Sequence, residues 1–83
     1  MAKRVYEVVF WITKENSGEA TFLATSNGGR TPPYQRPVDE DNCEQTFTFK
    51  NLSDLFAFLE SAFKKFKQGF SVRSINLYNY PLA

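Results

Sequence analysis

Cys43 is the only thiol in this 83-residue chain, and histidine is absent. Those two facts remove most nucleophilic chemistry. A serine or cysteine nucleophile ordinarily relies on a neighbouring imidazole as its base, and one chain without histidine cannot build that pair. The commonest metal ligand and the usual neutral-pH proton shuttle are missing too. Cys43 lies just after Asp39, Glu40 and Asp41 and just before Glu44. Such neighbours favour the protonated thiol and weaken it as a nucleophile, so a small buried hydrophobe is the better role for it. The carboxylates at 39–41 are a solvated cluster with nothing to drive one pKa upward. They also lack the ligand spacing, glycine and closing glutamate of a calcium loop. Ser26-Asn27-Gly28-Gly29-Arg30 has the glycines of a phosphate nest, but the lysine and hydroxyl residue of a phosphate-binding loop do not follow. The expectation is a non-catalytic protein with no cofactor and no metal.

Binding chemistry has more candidates. Trp11 and Tyr78 are the rings best suited to an exposed contact, because tryptophan and tyrosine are the types most enriched at interaction hot spots. Arg30 and Arg36 flank Thr31-Pro32-Pro33-Tyr34-Gln35. That stretch reads either as a proline-rich ligand for an aromatic groove or, more simply, as a stiff loop held by Tyr34. Arg4, Lys14 and Arg73, together with Trp11 and Tyr78, are the alternative set for single-stranded nucleic acid, with rings to stack bases and cations to hold phosphates. Ten basic against nine acidic residues leave a formal charge of +1, which is too balanced for general attraction to phosphate backbones or acidic membranes.

These residues need elements to position them. Arg4 to Thr13 alternates Tyr6, Val8, Phe10 and Ile12 with Glu7, Val9, Trp11 and Thr13, the period of a strand. A turn at Lys14–Gly18 and a second strand over 19–25, with Ala20, Phe22 and Ala24 inward, would complete a hairpin. Residues 26–42 have no periodicity and form a long loop. Such a connection is usually functional or disordered. Cys43–Lys50 is a third strand, alternating Phe47 and Phe49 with Thr46 and Thr48. Asn51 caps a helix over 52–68, whose stripe is Leu52, Leu55, Phe56, Leu59, Phe63 and Phe66, flanked by Phe58 and Ala62. Lys64, Lys65 and Lys67 suit its C-terminal end, and Gly69 ends it. A last strand covers 71–78.

The order β-β-β-α-β predicts an α+β, two-layer fold in which one helix packs on one face of a four-stranded mixed sheet. Residues 1–83 read as a single small domain. The crossover through the helix favours parallel third and fourth strands, adjacent or with one strand between them. A fourth strand beside the first would give the order 3-2-1-4, and the third could instead join the other side of the hairpin. Aromatics at 17% of the chain give so short a sequence a workable core.

The strand phases place Val9, Trp11, Leu23, Val72 and Tyr78 on the face that the helix leaves bare. An apolar patch rimmed by polar groups marks an association surface. The expected function is therefore protein–protein interaction, as an adaptor, small subunit or inhibitor of another protein. It would use Val9, Trp11, Leu23, Val72 and Tyr78 with Arg30, Tyr34 and Arg36 of the loop. The partner is another protein or a second copy, and single-stranded nucleic acid is the alternative. A competing arrangement folds Pro32, Pro33 and Tyr34 of the loop over Trp11. No apolar stretch is long enough for a membrane span, and the N-terminus has strand rather than signal-peptide character. A cytoplasmic location follows as the expectation.

Overall fold

The computed structural model describes residues 2–30 and 35–81, with side chains at 4–30 and 35–78. β1 is Ala2–Thr13, followed by a 3-10 turn at Lys14–Asn16 and helix α1, Ser17–Ser26. β2 is Arg36–Pro37 and β3 is Asn42–Phe49; α2, Leu52–Lys65, leads to β4, Ser71–Pro81. The sheet order is β2-β3-β1-β4, with each neighbouring pair antiparallel. Each helical connection skips one strand, so β1–α1–β2 and β3–α2–β4 interleave as two split units. This is the β-α-β-β-α-β arrangement of ferredoxin-like folds.

The α+β, two-layer, four-stranded architecture read from the sequence is the one observed. β4 lies beside β1 and runs parallel to β3, but β3 pairs directly with β1, so the order 3-2-1-4 is not the one observed. Three further details differ. The sheet is antiparallel throughout rather than mixed, two helices rather than one cover it, and residues 19–25 are helical rather than a strand. Ala20, Phe22 and Ala24 alternate, yet Ala20 and Ala24 are also four apart and so share one helix face. Both are fully buried there, while Phe22 points outward. Thr21 and Thr25 look like strand residues. In α1 their hydroxyls donate to the carbonyls of Ser17 (3.0 Å) and Thr21 (2.9 Å), four residues back, which lets these β-branched residues sit in a helix.

Asn27-Gly28-Gly29, read in the sequence as the start of a loop, is the stop of α1. The Gly28 amide bonds the Thr25 carbonyl (3.1 Å) and the Gly29 amide bonds that of Ala24 (2.8 Å), with Gly28 at φ 87°. That double closure is the Schellman cap, and its left-handed residue favours glycine.

The described part of the long segment runs along the outer edge of β3. Arg30 exchanges backbone hydrogen bonds with Thr48 (2.9 Å each way), and β2 pairs Arg36 with Glu44 and Pro37 with Cys43. Pro32, Pro33 and Tyr34 lie outside the described residues.

A cluster of phenylalanines fills the space between the layers. Phe58 of α2 lies 5.5 Å from Phe10, 5.7 Å from Phe49 and 6.2 Å from Phe47 between ring centres, and Phe10 stacks on Phe47 at 5.7 Å. Each fully buried ring contributes about 1.5–3 kcal/mol relative to exposure. Cys43 is buried beside this core, and burial pushes its thiol pKa up, with Lys14 pulling weakly the other way. Gln45 is the exception in β3, a buried amide on an otherwise apolar face. Its Nε2 donates to the Ser17 carbonyl (3.2 Å) and Thr21 Oγ1 (3.1 Å), tying β3 to the start of α1.

Candidate interaction surface

Cross-strand partners in an antiparallel pair point to the same face, so the register alone assembles the bare side of the sheet. One row is Arg36, Glu44 and Trp11; the next is Thr46, Val9 and Ser74; a third is Arg30, Thr48, Glu7 and Asn76. Trp11 is engaged on two sides. Its Nε1 donates to Glu44 Oε2 at 3.1 Å, and the Arg73 guanidinium stacks 4.2 Å above the ring. Asn76 Nδ2 donates to Glu7 Oε1 (3.4 Å) and Ser74 Oγ (3.2 Å). Apart from Val9 and Trp11, both half-buried, the three rows are polar. A base stacking on Trp11 from above would have to displace Arg73, and Glu7 and Glu44 would stand close to its phosphates.

Leu23 and Val72 leave the predicted patch. Leu23 belongs to α1 and packs against the core from the helix layer. Val72 pairs with Phe10 and packs against the same core, because the β1–β4 register shifts between Val9 and Phe10. Such a bulge moves every residue beyond it to the other phase. Ser74 and Asn76 therefore face the bare side as expected, while Val72 does not. Tyr78 pairs with Val5 toward the far end of that side. Arg30 and Arg36 are exposed along the β3 edge, and Tyr34 is outside the described residues. Of the nucleic-acid set, Arg73 meets Trp11, whereas Lys14 is exposed in the turn after β1 and Arg4 is two residues from Tyr6, in phase with the helix side. Trp11, Arg73, Arg4, Lys14 and Tyr78 do not form one group.

The larger apolar surface lies on the helix side, over β4. α2 buries Leu55, Phe58, Leu59 and Ala62, so the true inward stripe is rotated from the one that spacing suggests. Its Asp54/Lys65 flank meets α1: Lys65 pairs with Glu19, and Asp54 stands by Gly28 at the α1 cap. Leu52, Phe56 and Phe63 lie about half a turn round the helix from that flank, at ~100° per residue, and so overhang the side away from α1. They are 40%, 53% and 55% exposed.

Below that overhang, Ile75 pairs with Val8 and Leu77 with Tyr6, which places both on the helix side of β4. Neither is covered, with Ile75 46% and Leu77 50% exposed. Only the start of β4 is closed, by Phe70 against Phe10 (5.1 Å) and Phe63 (5.0 Å). The outcome is a ledge with an aromatic wall and an aliphatic floor. Along its rim, the outer edge of β4 has no strand partner among the described residues. Phe22, more exposed still, lies on the outer side of α1, away from the ledge.

Sequence spacing missed the ledge because it counted Leu52, Phe56 and Phe63 as core. The available signal was the width of the stripe. Adding Phe58 and Ala62 makes more apolar helix than one sheet face can cover. Among the described residues no helix is long and apolar enough to cross a membrane, and no group of three or more metal-ligating side chains comes together. Comparison with protein-family models and with curated proteins finds no match for this chain.

Proposed function

We propose that this chain is a non-catalytic protein–protein interaction module, an adaptor, small subunit or inhibitor, that docks through the ledge between α2 and β4. The observation that carries this reading is the exposure of Leu52, Phe56, Phe63, Ile75 and Leu77 on one side of one helix. Five large apolar side chains gathered beside a strand edge that has no strand partner among the described residues form the kind of patch that association covers. The bare sheet face supports the reading less well, since its indole is hydrogen-bonded and capped within the chain. A cytoplasmic setting belongs to the same proposal, because a single buried thiol suits a reducing compartment.

The test is retention of binding partners from an extract of the source cells on three baits. Wild type and Trp11→Ala should retain the same protein, and Phe56→Ser/Phe63→Ser should lose it while keeping its helical circular dichroism. Loss on Trp11→Ala alone would move the site to the bare sheet face. Retention of single-stranded nucleic acid, falling steeply with salt, would replace the proposal with the alternative.

A further inference from the structure

We propose that the occupant of the ledge is a second copy of this chain, joined β4 to β4 across a two-fold axis perpendicular to the sheet. This rests on the ledge being the interaction surface. Three features favour self-pairing. First, residues 74–81 of β4 carry no charge. Natural edge strands are commonly blunted by lysine or other charges, and here antiparallel self-pairing opposes no like charges over that stretch. Second, a two-fold perpendicular to the sheet leaves the helices of both copies on the same side. The two ledges then merge into one trough, and the contact is isologous, as a closed dimer requires.

Third, the dimensions agree. α2 packs on β1 and β3, so two copies of it would stand roughly 19 Å apart, about four strand spacings. With helices about 10–12 Å across, side chains included, a trough about 7–9 Å wide is left between them. Phe56 and Phe63 of each copy form the walls of that trough, and Ile75 and Leu77 its floor. Five half-exposed side chains contribute on the order of 500 Å² per copy. The newly paired backbone and the rims add to this, against about 800 Å² per partner in a standard stable interface.

Sedimentation equilibrium of the full chain tests the proposal. Wild type should run at twice 9.6 kDa. Amide exchange at 74–77 should slow as concentration rises, which ledge contact without strand pairing would not produce. Leu77→Lys sets like charges on the shared floor, and Phe56→Ser removes a wall. Each should weaken the dimer about 30-fold or more, the loss expected of a hot spot, with the circular dichroism unchanged. Trp11→Ala should dimerise as wild type does.

A wild-type monomer at all concentrations would overturn the second copy. If that monomer still holds a different protein through Phe56 and Phe63, the interaction reading survives with another occupant. A dimer indifferent to Leu77→Lys and Phe56→Ser but lost on Trp11→Ala would overturn both.

Discussion

The two sides of β1 are finished differently. On the β3 side, small residues close the structure. Ala20, Ala24 and Gly29 bring the α1 backbone close to the sheet, Gln45 ties β3 to α1, and the segment after α1 lies along the β3 edge. On the β4 side, large residues leave it open: Phe56 and Phe63 overhang Ile75 and Leu77, with no strand along the edge among the described residues. The contrast is between small side chains that permit close approach and an excess of rings that one core cannot hold. Exposure here reflects a surplus of apolar groups, and a surplus at one flank of one helix is what a docking surface needs.

The sharpest break in that contrast is between Phe58 and Phe56, two residues apart on α2. Phe58 is fully buried and touches the rings of Phe10, Phe47, Phe49 and Phe70, while Phe56 is more than half exposed. Phe58→Ala should cost about 3–5 kcal/mol. A domain of this size has a total stability on the order of 5–10 kcal/mol, so the variant should be largely unfolded at modest urea. Phe56→Ala should stay within about 0.5 kcal/mol of wild type. Urea midpoints taken at concentrations too low for self-association give both values. A comparable cost at Phe56 would mean that the ledge is part of the core.

A smaller effect is expected on the closed side. A Cβ on Gly29 would lie 2.8 Å from the Ala24 carbonyl oxygen and 2.8 Å from Phe49 Cζ, one neighbour being backbone and the other a packed ring. Neither yields readily, so Gly29→Ala should cost about 1–3 kcal/mol, the usual penalty of overpacking. Gly18, in the first turn of α1, has nothing within 4 Å of its Cβ position. Gly18→Ala should therefore be neutral or stabilising by about 0.5–1 kcal/mol. Equal outcomes at the two glycines would show that close approach does not hold α1 in place.

How much of this was legible in the sequence follows the same division. β1, β3, α2 and β4 carry strong periodicity, and each was placed within a few residues. α1 was lost because Ala20 and Ala24 satisfy both periods and threonine mimics a strand. Its Asn-Gly-Gly stop, read backwards from Gly29, was the clue that would have found it. β2 is two residues long and paired through its backbone, which composition does not encode. The bulge that displaced Val72 is a register event between strands, equally invisible to a single strand's pattern. The site depended on these details more than the fold did. One misread helix and one bulge removed Leu23 and Val72 from the bare face, and the rotation of α2 moved the apolar surplus to the other side of the sheet.

The smallest effect concerns the turn that leads into β3. Asp39 Oδ1 accepts hydrogen bonds from the amides of Asp41 (2.8 Å) and Asn42 (2.9 Å) and from Asn42 Nδ2 (3.1 Å). The Asp41 amide and then the Asn42 side chain hold its carboxyl below the usual aspartate range, with Lys14 adding a little. A pKa depressed on folding stabilises the native state above the unfolded value, and that contribution fades as pH falls through the folded one. The carboxylate is fully exposed, so the change should be local. On acidification the Asp41 and Asn42 amide resonances should shift together, with a midpoint below that of a free aspartate, and Asp39→Asn should abolish the shift. A midpoint at or above the free value would mean that the carboxylate does not hold this turn, and the closed side would then depend on packing and on the Gln45 and Arg30 hydrogen bonds.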